Sequence, residues 1–282
     1  MHFMLQACPA AAGQAVSAAI LVAGFIMSLR LFGRWRHDTL SRHAIDAAVR
    51  RLQARPYQSL DAGVLLLALL LPTLLNCIRH REPPASAAVQ VGPALLYYAI
   101  ILGGVLAAAR RAGIDVYSAI GITRATLRPA AKAGLVLGLA TLPPVILTAW
   151  LSEWALQQMG VPFSRQAVFD TLADPNLGAA TQALLVVVAV AAAPLAEEAV
   201  FRGILFPAAL GNRGLIRALL LVNILFALLH LHLPSFLPLL VVGFCLSLGM
   251  LTTGSLLTPI IMHAIFNGEM LLLFYAWPAM AS

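Results

Sequence analysis

The sequence predicts an all-α, polytopic membrane protein of about eight transmembrane helices around an intramembrane polar pocket. Three observations carry this prediction. The 282 residues are 61% hydrophobic and only 10% charged, with a mean hydropathy of +0.90, whereas a soluble domain carries roughly 25% charged residues. The apolar residues are gathered into segments near the roughly 20-residue length that a spanning helix needs. A few ionisable and amide side chains, Glu197, Glu198, His230, His263 and Asn267, lie inside those segments rather than between them, with Arg202 at the edge of one.

Taken in order, the segments run over 13–33, 61–78, 89–109, 131–151, 179–201, 215–233, 235–252 and 259–278. The first is a poor cleavable signal, because its Arg residues follow it and none precedes it. The run Leu5 to Cys8 lacks the basic and apolar regions that precede a lipoprotein cleavage site. Between the first two segments lies the main polar stretch, 34–60, with Arg34, Arg36, Arg42, Arg50, Arg51 and Arg55. Within it, 44–55 has helical composition and suits the membrane surface. The loop 110–128 is again basic, and 153–178 is acidic. With the N-terminus outside, nearly all the basic residues fall on the inner side, leaving Arg79, Arg81 and Arg165 outside. The positive-inside rule then places both termini outside. The net charge of +7 therefore reflects membrane orientation and gives no nucleic-acid signal. Cys8, Cys77 and Cys245 are far apart and form no metal or redox pattern. Residues 1–130 read as N-terminal membrane helices with a basic cytoplasmic loop. Residues 131–282 read as a helix bundle that holds the polar pocket.

The pocket rests on three helices. Glu197 and Glu198 end a long apolar run, 183–196, broken only by Pro194. An ionisable group at the bilayer centre costs about 2.5–3.5 kcal/mol by insertion scales and usually marks function. Glu198 and Arg202 are i,i+4 neighbours on a helix and can pair. Glu197 lies about 100° round the axis, so it is left for another purpose. His230 shares a face with Phe226, and His263 shares one with Asn267. Buried separately, these polar groups would each be costly; buried together, they satisfy one another. His2, His37, His43 and His80 sit in polar or terminal stretches, and His232 stands near a helix end.

A carboxylate and an imidazole around one water make a general base, and His and Asn can donate to a developing oxyanion. The same ligand types could hold zinc, although the sequence has no H-E-x-x-H.

Glu197-Glu198-x-x-x-Arg202, Phe226-x-x-x-His230 and His263-x-x-x-Asn267, in this order, resemble the three motifs of the CPBP intramembrane proteases, the CAAX prenyl protease type 2 or Abi family. The flanking runs from Pro194 to Gly203 and from Gly249 to Ser255 resemble the family as well, so the likeness covers about 180–270. It implies that Glu197 activates water with His230 as its partner, that His263 and Asn267 stabilise the oxyanion, and that Glu198 and Arg202 form a supporting pair. The family is commonly labelled as metalloproteases, and a metal-free glutamate mechanism is also attributed to it. No tightly bound cofactor is expected here; a zinc ion, if bound, would take Glu197, His230 and His263.

The expected protein is thus a multi-pass prokaryotic inner or plasma membrane endopeptidase. Its partners would be the lipid bilayer and a membrane-associated protein or peptide, CAAX-type prenylated or bacteriocin-like. The rival readings are a transporter that uses the Glu/His cluster as a proton relay and a non-catalytic membrane scaffold. Two features need structural resolution. Simple alternation places Glu197 and His263 near inner helix ends but His230 near an outer one. Glu269 lies about 200° round from Asn267, off the face that carries the site.

Overall fold

A computed structural model describes residues 2–35, 39–78, 87–121, 123–161, 166–174 and 177–276. Arg36, Arg79, Arg81, Arg165, His37, His80 and residues 277 and 278 of the last expected span lie outside the described residues. The described residues form helices and no strand. In order they are α1 (His2–Trp35), α2 (Thr39–Gln53), α3 (Ser59–Ile78), α4 (Ala87–Arg111), α5 (Val116–Ile120), α6 (Arg124–Gln158) and α7 (Ala167–Leu172). A long composite helix follows. It is built from α8 (Ala179–Val187), a π-helical stretch π1 (Val188–Ala192), α9 (Ala193–Glu198), a second stretch π2 (Ala199–Leu205) and α10 (Phe206–Arg213). The chain ends with α11 (Leu215–Leu229), α12 (Leu233–Thr253) and α13 (Leu257–Ala276).

Each of the eight expected segments is helical, but among the described residues only six helices are long and apolar enough to cross a membrane. The count of eight is corrected on physical grounds. Helix α11 has 15 residues, about 22 Å at 1.5 Å per residue, against a hydrocarbon core of about 30 Å. The apolar stretch Ser59–Pro72 is also short. The surface helix expected over 44–55 is present as α2, which buries Ala48 and Leu52 against α10 and α12.

The short α11 settles the depth problem. Glu197 and His230 stand almost equally far along the chain on either side of the turn at Gly214, so the antiparallel hairpin brings them to one level. Likewise, Ser247 and His263 stand equally far from the turn at 254–256 that joins α12 to α13.

Prolines fix how the helices dock. A proline inside a helix lacks an N–H and frees the carbonyl one turn earlier, and in a membrane that carbonyl needs another donor. Pro144 frees Ala140, whose oxygen accepts the Ser28 hydroxyl of α1 at 2.6 Å. Pro238 frees Pro234, whose oxygen accepts the Ser152 hydroxyl of α6 at 2.9 Å. Pro72 frees Ala68, and the Tyr97 hydroxyl of α4 donates to the carbonyls of Ala68 and Leu69 at 3.4 and 3.1 Å. One turn before Ser28, Gly24 rides on the Leu139 carbonyl so closely that a Cβ there would stand 2.3 Å from its oxygen.

Candidate active site

Glu197 and Glu198 are the last residues of α9, held between the two π-helical stretches. π-bulges occur often at functional sites, and Pro194 gives this one a physical cause. In π1 the Ala193 N–H donates to Val188 five residues back. The next such bond would need an N–H from Pro194 to reach Ala189, and proline has none. Asn267 of α13 supplies it, with Nδ2 donating to the Ala189 oxygen at 2.8 Å. Asn267 therefore seals the break just ahead of the carboxylate pair. One of its two amide protons is committed there.

The two carboxylates have separate environments, as the 100° offset implied. Glu198 is fully buried. Its Oε1 accepts from Arg202 Nη1 at 2.9 Å and from His263 Nδ1 at 2.9 Å. Arg202, also fully buried, donates from Nη2 to Asn223 Oδ1 at 3.2 Å and to the Gly243 carbonyl at 2.9 Å. Asn223 Oδ1 also accepts the Ser247 hydroxyl at 2.9 Å. Gly243 packs closely on Asn223, where a Cβ would stand 3.1–3.4 Å from three Asn223 atoms and would press on that side chain. One neutralised carboxylate is thus tied to α11, α12 and α13 together.

Glu197 keeps a side-chain exposure of 19%. Its Oε2 stands 4.0 Å from His263 Nε2, a gap that one water touching both atoms can bridge. It opens with Phe201, Leu229 and His230 onto a cavity of about 250 Å³, which is also lined by Leu69, Pro72, Tyr97 and Tyr98. His230 caps the end of α11, and its Nδ1 lies 2.9 Å from the Phe226 carbonyl. A carbonyl only accepts, so Nδ1 carries the proton and Nε2 is left with its lone pair in the neutral ring. The same reasoning assigns the proton on His263 Nδ1 to the bond with Glu198. Phe226 lies between the groups, with ring centroids 5.2 Å from His230 and 5.7 Å from His263, and with the Arg202 guanidinium 4.7 Å above it.

The structure thus joins Glu198, Arg202 and His263 by hydrogen bonds. Glu197 lies beside His263, and Glu197 and His230 share the cavity. Asn267 sits on the same helix as His263 but bonds to π1, outside the cavity lining. Among the described residues, no three His, Cys, Asp or Glu side chains converge to hold a metal ion. Glu197, His230 and His263 as placed do not form a ready zinc site. Glu269 lies off this face as expected, and accepts the Ser17 hydroxyl of α1 in a buried contact.

Several functional neighbours were not recognised in the sequence. Gly243 and Ser247 carried the signal of close helix packing; only Asn223, polar in an apolar run, could have announced their second role. Tyr97 and Tyr98 gave no signal, since what brings them to Glu197 is packing between α4 and α9.

A carboxylate close to an imidazole, opening onto a cavity of about 250 Å³ within a bundle of apolar helices, is an arrangement that could activate water. Residues 179–268 match the family model described as type II CAAX prenyl endopeptidase Rce1-like. The match supports the resemblance to the CPBP family of membrane proteases carried by the three motifs. At family level the match supports a protease acting on a membrane-associated protein, and it does not favour the transporter or scaffold readings. Residues 1–178 fall outside the match. Comparisons with curated proteins and with solved structures gave no match.

Proposed function

We propose that the protein is an intramembrane endopeptidase that hydrolyses a peptide bond of a membrane-associated protein or peptide with water activated by Glu197. One observation carries this reading. Of two adjacent carboxylates, Glu198 is neutralised by Arg202 and held by His263, while Glu197 is free to face the cavity.

In the proposed reaction the Glu197 carboxylate takes a proton from water, and the His230 Nε2 lone pair accepts the other hydrogen and orients the attacking oxygen. The water oxygen bonds to the carbonyl carbon. The oxyanion is met, when its ring carries both protons, by Nε2–H of His263 beside Glu197, while Asn267 holds the helix break just ahead of Glu197. The C–N bond then breaks, and Glu197 returns its proton to the leaving amine. The products are one carboxylic acid and one amine, and no covalent intermediate forms. Glu198 and Arg202 hold His263 and do not touch the substrate.

The test is cleavage of membrane-anchored peptides, with and without a prenylated CAAX end, by purified reconstituted protein. A general base contributes about 10²–10⁴-fold, so Glu197→Gln should lose at least a hundredfold in turnover while remaining folded. Full activity in Glu197→Gln overturns the assignment. Inhibition by a chelator, reversed by added zinc, would replace the metal-free scheme with one in which Glu197, His230 and His263 bind the ion.

A further inference from the structure

One wall of the cavity onto which Glu197 opens is built by residues outside the stretch that matches the protease family. Leu69 and Pro72 come from α3, and Tyr97 and Tyr98 from α4. We infer that this wall is the specificity-determining surface of the enzyme, and that it receives one large apolar side chain, phenyl- or indole-sized, next to the scissile bond. The inference rests on the endopeptidase reading above and assigns a substrate feature to that site.

Position is the first support. The cavity that holds Glu197 and His230 is the same cavity that this wall closes. A carbonyl carbon within reach of water on Glu197 therefore places a neighbouring side chain against α3 and α4. Volume is the second. An apolar cavity of about 150 Å³ takes up benzene, so about 250 Å³ is enough for one aromatic side chain. Chemistry is the third. Leu69, Phe201 and Leu229 supply apolar surface, and the Tyr97 and Tyr98 rings, 5.0 Å apart and tilted by 59°, supply aromatic faces suited to another ring.

The wall is also held rigid. The Tyr97 hydroxyl is committed to the Ala68 carbonyl that Pro72 leaves open and to the neighbouring Leu69 carbonyl, which ties α3 to α4 beside the cavity. Tyr97 is thus a positioning residue. Leu69, itself buried, and Tyr98 set the size of the side chain that fits.

The experiment uses the full chain in liposomes and a membrane-anchored peptide library randomised around its cleavage site, with the residues flanking each cut read by mass spectrometry. Wild type should favour Phe, Trp or Leu over Ala at one flanking position. Leu69→Trp fills the cavity and should lower kcat/KM for the Phe peptide by about tenfold or more while sparing the Ala peptide, within the range of 10–200-fold that one pocket contact commands. Tyr98→Ala enlarges it and should move the preference toward Trp. Tyr97→Phe should broaden the preference by freeing α3 from α4. Leu69→Ala serves as a second test of the same site should Leu69→Trp fail to fold, and it should also favour Trp. Cleavage by all forms with one unchanged ranking overturns this inference alone. No cleavage of any peptide by wild type, with Glu197→Gln equally silent, overturns the endopeptidase reading and this inference with it.

Discussion

Replacing Arg202 with Met tests the charge network directly. The guanidinium is fully buried and makes three hydrogen bonds, to Glu198, Asn223 and the Gly243 carbonyl. Met removes the charge and keeps an apolar stem of similar reach over Phe226. Breaking a buried ion pair by removing one partner costs about 3–5 kcal/mol, because the other charge is left uncompensated. Glu198 would still accept from His263 Nδ1, and Asn223 would still accept from Ser247, which limits the loss. The Gly243 carbonyl lies inside α12 and keeps its place in the helical ladder, so the expected destabilisation lies towards the lower end of about 3–5 kcal/mol. The assay is reversible unfolding in mixed micelles, with Glu198→Gln and the double variant completing a cycle. A neutral Gln no longer needs the cation, so the double variant should be more stable than the sum of the single losses by at least about 1 kcal/mol, within the usual range for contacting residues. Additive losses, or Arg202→Met as stable as wild type, would refute the pairing argument. An Arg202→Met protein that is fully stable yet inactive would move Arg202 into the chemistry.

Three further outcomes are expected. Asn267→Ala should destabilise by about 1–3 kcal/mol as the Ala189 carbonyl loses its donor, and should lower kcat more than it raises KM by loosening the helix that carries Glu197; steady-state kinetics beside unfolding check both, and unchanged stability would contradict the sealing role. Leu231, at φ +44° the one non-glycine residue with positive φ among those described, ends α11 just after His230; Leu231→Gly should stabilise the fold by about 1 kcal/mol by removing left-handed strain, and a loss of stability would show that the exposed side chain holds the turn. Gly24→Ala should displace α1 from α6, since its Cβ would meet the Leu139 oxygen at 2.3 Å; crosslinking between cysteines placed on α1 and α6 should fall, and unchanged crosslinking would refute the close contact.

What could be read from the sequence follows from what local geometry determines. The Glu198–Arg202 pair and the separate direction of Glu197 depend on helical angles within one short stretch, and both are found. The offset of Glu269 from the site face was legible for the same reason. Its partner Ser17 was not, because α1 and α13 meet at opposite ends of the chain. The eight apolar segments were visible as composition. Whether α11 spans could not be read from composition, because its apolar run continues past His230 to residue 233 while the helix stops at Leu229.

The π-helical stretches mark the limit more sharply. Pro194 announces a break, but a break can become a kink, a π turn or an end, and the outcome depends on which donor reaches the freed carbonyl. Here the donor is Asn267, 78 residues away. The same logic recurs at Pro72 with Tyr97, at Pro144 with Ser28 and at Pro238 with Ser152. Each proline is legible in the sequence as a vacancy, and each partner becomes legible only once the helices are placed. Of these four bonds, two border the cavity or its carboxylates: Tyr97 sets the wall and Asn267 closes the break before Glu197. The prolines therefore do more than bend helices. They create acceptors that only another helix can satisfy, and those acceptors tie the α3–α4 wall and the α9 carboxylates to fixed positions across the space where the substrate would lie.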